Sequence, residues 1–261
     1  MLLIFCVGMA SEATAAGHLE QKLAVRLEPE AHRLTAETTM TLAGDRSEWP
    51  ELFLLAPQAR IGTVAADGRP LTYEFSHGRL RVPGAAGRSV LTISYTVIFD
   101  DPVPHELVGI EDPSYGIRAT IMPQGAYISA ASGWYPNAVD VPQRFTVTIS
   151  GPQDMTGVTS GRLTNLTRTA AGTVTTWRTV LQPTAMSLAA GRYQLRRESL
   201  GDIQLLAFLS ESNVPLAAGY LESVREYLSL YQELFGPYPY EKFAVVENFY
   251  PTGYGLPGWT L

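Results

Sequence analysis

The stretch LTISYTVIF, residues 91–99, carries the alternation that decides the fold class. Apolar side chains occupy every second position from Leu91 to Phe99, and three of the four positions between them are Thr or Ser. Side chains two residues apart lie on the same face of a β-strand. The pattern therefore predicts a strand with one face in a hydrophobic core and the other face more polar.

The same period of two extends in both directions from this stretch, over residues 21 to about 197. The clearest further sets lie at 23–27, 34–42, 71–82 and 145–149. Short strands with Gly-rich and Pro-rich turns between them are typical of antiparallel sheets that pack face to face. We therefore predict a mainly β fold, with an antiparallel β-sandwich or saddle-shaped domain over residues 18–197.

Beyond residue 200 the apolar residues change to a spacing of three and four. This spacing is held from Ala217 to Phe235 and predicts an amphipathic helix, which Gly236 and Pro237 end. Strands are predicted on either side of it, over 203–208 and from Phe243 onward. Residues 198–261 are thus expected to form the start of a second, α+β domain.

Composition excludes several classes of protein. The chain has 261 residues, of which 46% are hydrophobic and 17% are charged, which is typical of a globular protein and not of a disordered one. The formal net charge is −6. With no excess of basic residues to attract phosphates, we expect no nucleic-acid partner.

Residues 1–17 have the features of a secretory signal peptide. An apolar run over residues 2–10 is too short to span a bilayer, and Ala13, Thr14 and Ala15 form an A-x-A cleavage site. We therefore predict an exported protein whose mature chain has no transmembrane segment. The single cysteine, Cys6, lies inside the predicted signal peptide, so a mature chain would contain no disulfide.

No catalytic or metal-binding residue is assigned from the sequence. The histidines are scattered at His18, His32, His77 and His105, and no two have the spacing of an H-E-x-x-H zinc helix. Residues 105–109 resemble only the first half of that motif, because Gly109 stands where the second histidine would be. No G-x-S-x-G nucleophile motif occurs either.

A glycine-rich segment near the end of the chain is the one candidate binding site. Residues 253–258 match G-x-G-x-x-G, but Pro257 opposes the helix that a dinucleotide site needs. A backbone with few side chains is better suited to hydrogen bonding with the main chain of an extended peptide. The predicted substrate-binding residues are Gly253, Tyr254, Gly255, Leu256 and Pro257.

Three stretches, in this order, resemble one enzyme family. They are LAVRLEPEAHRLTAETTMTL (23–42), GWYPNAVDVPQRFTVTISGPQDMTGVTSG (133–161, followed by TTWRTVLQPTAMSLAAGRY) and YLSLYQELFGPYPYEKFAVVENFYPTGYGLPGWTL (227–261). Together they are similar to the N-terminal portion of the alanyl-aminopeptidase and leukotriene-hydrolase family of gluzincin metallopeptidases.

The resemblance implies a saddle-like β domain followed by the opening of a thermolysin-like catalytic domain. In that family an H-E-x-x-H helix and a later glutamate hold zinc, and those elements would follow Leu261. It therefore implies zinc and a peptide substrate for a full-length protein, and no zinc bound to this chain. The family's G-x-M-E-N loop corresponds to residues 253–257, where its amine-binding glutamate is missing. That role is not transferred to Glu247 or Asn248.

Two functions follow as hypotheses. The first is an N-terminal fragment of an exported, zinc-dependent, aminopeptidase-like peptidase that is inactive alone. In that case, the helix face of Tyr220, Val224, Tyr227 and Tyr231 should be exposed. The alternative is a non-catalytic β-sandwich module that binds a protein or glycan. A reading frame that continues past Leu261 into H-E-x-x-H would favour the first, and a stop codon the second.

Overall fold

A computed structural model of the chain describes residues 18–43, 49–103, 116–139, 141–179 and 186–261. The predicted signal peptide, Cys6 and His105 lie outside the described residues. The strands are β1 (His18–Glu28), β2 (Arg33–Ala43), β3 (Leu52–Leu54), β4 (Arg60–Ala66), β5 (Arg69–Pro70), β6 (Glu74–Ser76), β7 (Arg79–Arg81), β8 (Val90–Ile98), β9 (Ala119–Met122), β10 (Gly125–Ile128), β11 (Asn137–Ala138), β12 (Gln143–Gly151), β13 (Thr156–Thr159), β14 (Arg162–Thr169), β15 (Gly172–Arg178), β16 (Leu188–Gly191), β17 (Gln194–Leu200), β18 (Ile203–Leu209), β19 (Lys242–Val246), β20 (Gly255–Leu256) and β21 (Trp259–Thr260). The helix α1 spans Ala217–Phe235, and three short 3-10 helices span Pro29–Ala31, Ala130–Ser132 and Glu211–Leu216.

An eight-stranded sheet forms most of the first domain, in the order β14-β15-β12-β1-β2-β8-β4-β5. Its strands pair antiparallel except β1 and β12, which run parallel with Leu23 opposite Val147. The predicted fold class, mainly β with antiparallel sheets, is confirmed. The parallel pair is a departure from it that alternation could not reveal, because period two is the same in both kinds of sheet.

Two four-stranded sheets share one hydrophobic core with the large sheet. Their orders are β13-β16-β10-β9 and β11-β3-β7-β6. The alternation of the 91–99 stretch is confirmed, since Leu91, Ile93, Tyr95 and Val97 are each at most 2% exposed. The hydroxyl of Tyr95 donates to the carbonyl of Trp134 at 2.9 Å, so this buried polar atom is satisfied.

A five-stranded sheet, in the order β17-β18-β19-β21-β20, lies between the first domain and the helix. Along β18, Leu206 and Phe208 belong to the main core, whereas Leu205 and Ala207 belong to a smaller cluster beneath α1. Alternate side chains of one strand thus join two cores. The predicted domain limit at residues 197/198 lies within β17; the domain limits stay a prediction.

Helix α1 has the predicted extent and leaves much of its aromatic surface exposed. Tyr220, Tyr227 and Tyr231 are 44%, 60% and 51% exposed, as expected from the sequence. Val224 packs against the smaller cluster instead, because it lies about one helical turn from the buried Leu221 and Leu228. No helix in the described part of the chain is both long and apolar enough to cross a membrane.

Phe208→Ala tests the packing of the five-stranded sheet on the first domain. Phe208 is fully buried and contacts the rings of Trp177 and Tyr193, each about 6.0 Å away between centroids. We expect its loss to lower the free energy of unfolding by about 3–5 kcal/mol. The control, Phe235→Ala, removes a ring that is 81% exposed and should change stability by less than about 0.5 kcal/mol. Urea unfolding followed by tryptophan fluorescence measures both, and equal effects would contradict this packing.

Candidate functional site

The predicted binding residues lie at the outer edge of the five-stranded sheet. Strand β20 pairs antiparallel with β21, and β21 pairs parallel with β19. Pro257 and Gly258 form the two-residue turn between β20 and β21, and Gly258 has φ +80°. Pro followed by a residue with positive φ is the preference of a type II turn. The glycine pattern therefore makes a hairpin and does not open a helix.

Gly255 presents its backbone to the free side of this edge. Tyr254 and Leu261 exchange two backbone hydrogen bonds, each of 3.0 Å. In an antiparallel pair, hydrogen-bonded and non-hydrogen-bonded positions alternate, so the next pair, Gly255 and Thr260, is non-hydrogen-bonded. The N–H and C=O of Gly255 consequently point away from β21. A Cβ added to Gly255 would meet no atom within 4 Å, so the space beside it is open.

Aromatic rings hold the segment before β20 against the first domain. The ring of Tyr254 stacks on Tyr127 of β10 with centroids 5.1 Å apart and planes 8° apart. Tyr250 meets Tyr127 edge-on at 6.4 Å, and a Cβ on Gly125 would lie only 2.5 Å from Phe249. The backbone of β10 therefore has to be bare here for the loop to approach. Burial raises the pKa of Tyr127 and Tyr250, so both phenols stay neutral at neutral pH.

Glu247 is committed to a structural role at the end of β19. Its carboxylate accepts hydrogen bonds from the backbone N–H of Ser210 at 2.7 Å, from the Ser210 hydroxyl at 2.8 Å and from Asn213 Nδ2 at 2.9 Å. Its own carbonyl accepts from the Tyr193 hydroxyl at 2.7 Å. Residues 253–257 are called the strip from here on. The bonds of Glu247 tie the loop that precedes the strip to the start of the helical segment. The carboxylate is thus engaged away from the strip.

Lys242, which the sequence reasoning did not single out, lies beneath the hairpin. Its ammonium is 5.3 Å from the ring centre of Trp177 in β15 and 5.8 Å from that of Trp259 in β21. Its Nζ also donates to the carbonyl of Gly258 at 3.4 Å. The side chain is 1% exposed. The sequence offered one indication of this residue. Lysine is rare in this chain, in which Lys22 and Lys242 are the only two.

Two of the three histidines that the structure describes have a polar partner of their own. His18 Nε2 lies 3.0 Å from a carboxylate oxygen of Glu20, and His32 Nδ1 lies 2.7 Å from the carbonyl oxygen of Ile121. His77 sits in a tight turn with φ +49°. Over the described ranges, no three His, Cys, Asp or Glu side chains come together as metal ligands. A zinc ion therefore does not fit the residues seen here.

Comparisons with solved structures identify the fold. A two-domain M1 zinc metallopeptidase bound to L-tryptophan matches with a TM-score of 0.69 and 17% identity, over 94% of this chain and 60% of that one. An M1 zinc metallopeptidase from Deinococcus radiodurans, bound to a Tyr-Ser-Ala substrate, matches with 0.68 and 18%, over 94% and 60%. Native yeast LTA4 hydrolase matches with 0.68 and 14%, over 94% and 40%.

These likenesses confirm, at the level of fold, the resemblance drawn from the sequence. The chain spans about 60% or less of the length of the metallopeptidase structures that it matches, consistent with an N-terminal portion. No protein-family model matches the sequence, and no curated protein matches it significantly.

Proposed function

We propose that this chain is the N-terminal part of an exported, zinc-dependent, aminopeptidase-like peptidase, and that it contributes the backbone edge on which an extended peptide lies. The fold shared with M1 zinc metallopeptidases supports the enzyme class. The outward N–H and C=O of Gly255 carry the binding role, because they are the groups with which a β-strand recruits another strand.

The strip recognises main chain and not a particular side chain. An extended peptide that lies antiparallel or parallel to β20 would donate to the Gly255 carbonyl and accept from its N–H. The stack of Tyr254 on Tyr127 holds the strip in place before a peptide binds. The entropy cost of ordering the strip on binding is therefore small. In this proposal the metal and its ligands belong to the remainder of the protein, where zinc would activate the attacking water.

The strip has no carboxylate for the free amine of a peptide. Residues 253–257 read GYGLP, and the nearby Glu247 is held by Ser210 and Asn213. Main-chain hydrogen bonding does not depend on whether the amine is free. We therefore infer that this part of the protein binds N-acetylated and free peptides equally well.

Two substitutions at Gly255 test the strip directly. Gly255→Pro removes the outward N–H, and an edge strand tolerates proline because that N–H pairs with no strand. Gly255→Ala keeps the N–H and adds a methyl group into open space. With Tyr-Ser-Ala and its N-acetylated form as probes, amide shifts in NMR titrations should show binding to the native chain and the Ala variant. We expect at least a fivefold weaker binding to the Pro variant.

Three outcomes of that titration are decisive. Equal affinity of the Pro and Ala variants would contradict main-chain pairing at Gly255. A strong preference for the free amine would overturn the inference about acetylated peptides. No binding to the native chain would favour the alternative reading of a non-catalytic β-sandwich module.

Absence of catalysis by this chain alone is a separate prediction. The residues described offer no cluster of zinc ligands, so the purified chain with added zinc should not hydrolyse an aminoacyl anilide above the rate of buffer. Metal analysis after gel filtration should show zinc well below one equivalent. Stoichiometric zinc, together with activity that a chelator abolishes, would refute this.

Export is tested by the mass of the mature chain. If residues 1–17 act as a signal peptide, the secreted protein should begin between Ala16 and His18, next to the A-x-A site of the sequence. Intact-mass spectrometry of protein from the medium or periplasm of the expression host measures this. A cell-retained chain that still carries Met1 would contradict export.

A further inference from the structure

The amine of Lys242 is buried with less hydrogen bonding than an ammonium requires. An ammonium has three donors, and the Gly258 carbonyl accepts one of them at the long distance of 3.4 Å. None of the ion pairs found in the described part of the chain includes Lys242. The two indole faces attract the charge, but they replace only part of the lost hydration.

The two described strands that pair with β19 add no carboxylate to compensate. Strand β18, which pairs with β19, and strand β21 contain no ionisable side chain. The ionisable residues nearest in sequence or strand pairing to Lys242 and its contacts are Glu241, the exposed Arg178 and its partner Arg162, and the phenols of Tyr238 and Tyr240 in the turn before β19. The Tyr238 hydroxyl donates to the Lys242 carbonyl at 3.3 Å. Burial and Tyr240 raise the pKa of Tyr238, so it is neutral near pH 7.

The contacts of Lys242 join the first domain to the hairpin. Trp177 belongs to the eight-stranded sheet, whereas Trp259 and Gly258 belong to the hairpin that ends in β20 and β21. The Gly258 carbonyl also accepts from the backbone N–H of Ala244 at 3.1 Å. A movement of the hairpin away from the eight-stranded sheet would therefore expose the amine to water.

We propose that Lys242 is a positioning residue for the strip: the neutral amine lets the hairpin of residues 255–260 dock fully on the first domain, and binding of a proton loosens that docking. The peptide-binding role of the strip rests on the proposed function, but the docking itself does not. The outer edge of the five-stranded sheet is then best ordered when Lys242 is uncharged.

The direction of the pH dependence follows from the two environments of the amine. Burial lowers the pKa of Lys242 to about 7 in the docked state, whereas an amine in water has a pKa of about 10.4. Between these values the open state binds more protons than the docked state. Docking therefore strengthens as pH rises from about 7 to about 10, by at most about tenfold per pH unit in the equilibrium constant.

Hydrogen exchange of two amides measures docking without any peptide. The N–H groups of Tyr254 and Leu261 bond to each other's carbonyls, and they exchange when the hairpin opens. Their protection factors in the full chain should rise severalfold per pH unit between pH 7 and 9. The amide of Val82, which donates to Glu51 at 2.8 Å, is a reference in the first domain and should not show this rise.

Three variants separate charge from shape. Lys242→Met keeps an unbranched side chain without charge, so protection should be high and independent of pH. Lys242→Arg is charged at every pH used, so protection should stay low. Lys22→Met, the same change at the exposed lysine, should behave as the native chain does.

The two lysines also make the titration itself visible. In protein labelled with 13C at lysine Cε, the two signals belong to Lys22 and Lys242, and we expect the Lys242 signal to titrate near pH 7. This measurement needs no variant, so it stands if Lys242→Arg does not fold. Protection that is flat with pH in the native chain, or a Met variant that keeps the pH dependence, would overturn the proposal. Failure of peptides to bind would refute the proposed function and leave this result intact.

Discussion

Burial of strand β18 on both faces is the constraint on which the rest of the structure depends. Its side chains alternate between the main core, which receives Phe208, and the smaller cluster under α1, which receives Leu205. A strand in this position cannot shift by one residue without exchanging the two sets. The register of β18 therefore fixes β19, and β19 in turn fixes the hairpin that carries the strip.

The periodic elements could be predicted from the sequence because they report burial locally. The alternation from Leu91 to Phe99 marks one face of a strand, which the structure buries. The three-four spacing of α1 marks one face of a helix, of which the structure buries Ala217, Leu221 and Leu228 and leaves the aromatic part exposed. The same reasoning failed for Val224, where the exposed and buried stripes of the helix meet. It also could not give the parallel pairing of β1 with β12, which depends on which distant strand is nearest.

The position of the strip at a sheet edge could be expected, but its supports could not. Glycines and a proline near the end of the chain indicate a backbone without side chains and a turn. The stack of Tyr127 on Tyr254 and the contact of Trp177 with Lys242 join residues far apart in sequence. The identity of a single aromatic or basic residue does not indicate which distant residue it contacts. The sequence therefore identified the groups that face the solvent and missed those that hold them in place.

The parallel pairing of β1 with β12 has a consequence for how the protein is made. Leu23 must meet Val147, so β1 emerges from the ribosome long before its second neighbour exists. Meanwhile β1 can pair with β2 through a short connection, and one side of that hairpin stays open in the middle of the future sheet. Contacts between residues so far apart in sequence form slowly. An unpaired strand edge can meanwhile form hydrogen bonds with other chains and aggregate. We therefore expect the first domain to be prone to aggregation until β12 is available to pair with β1.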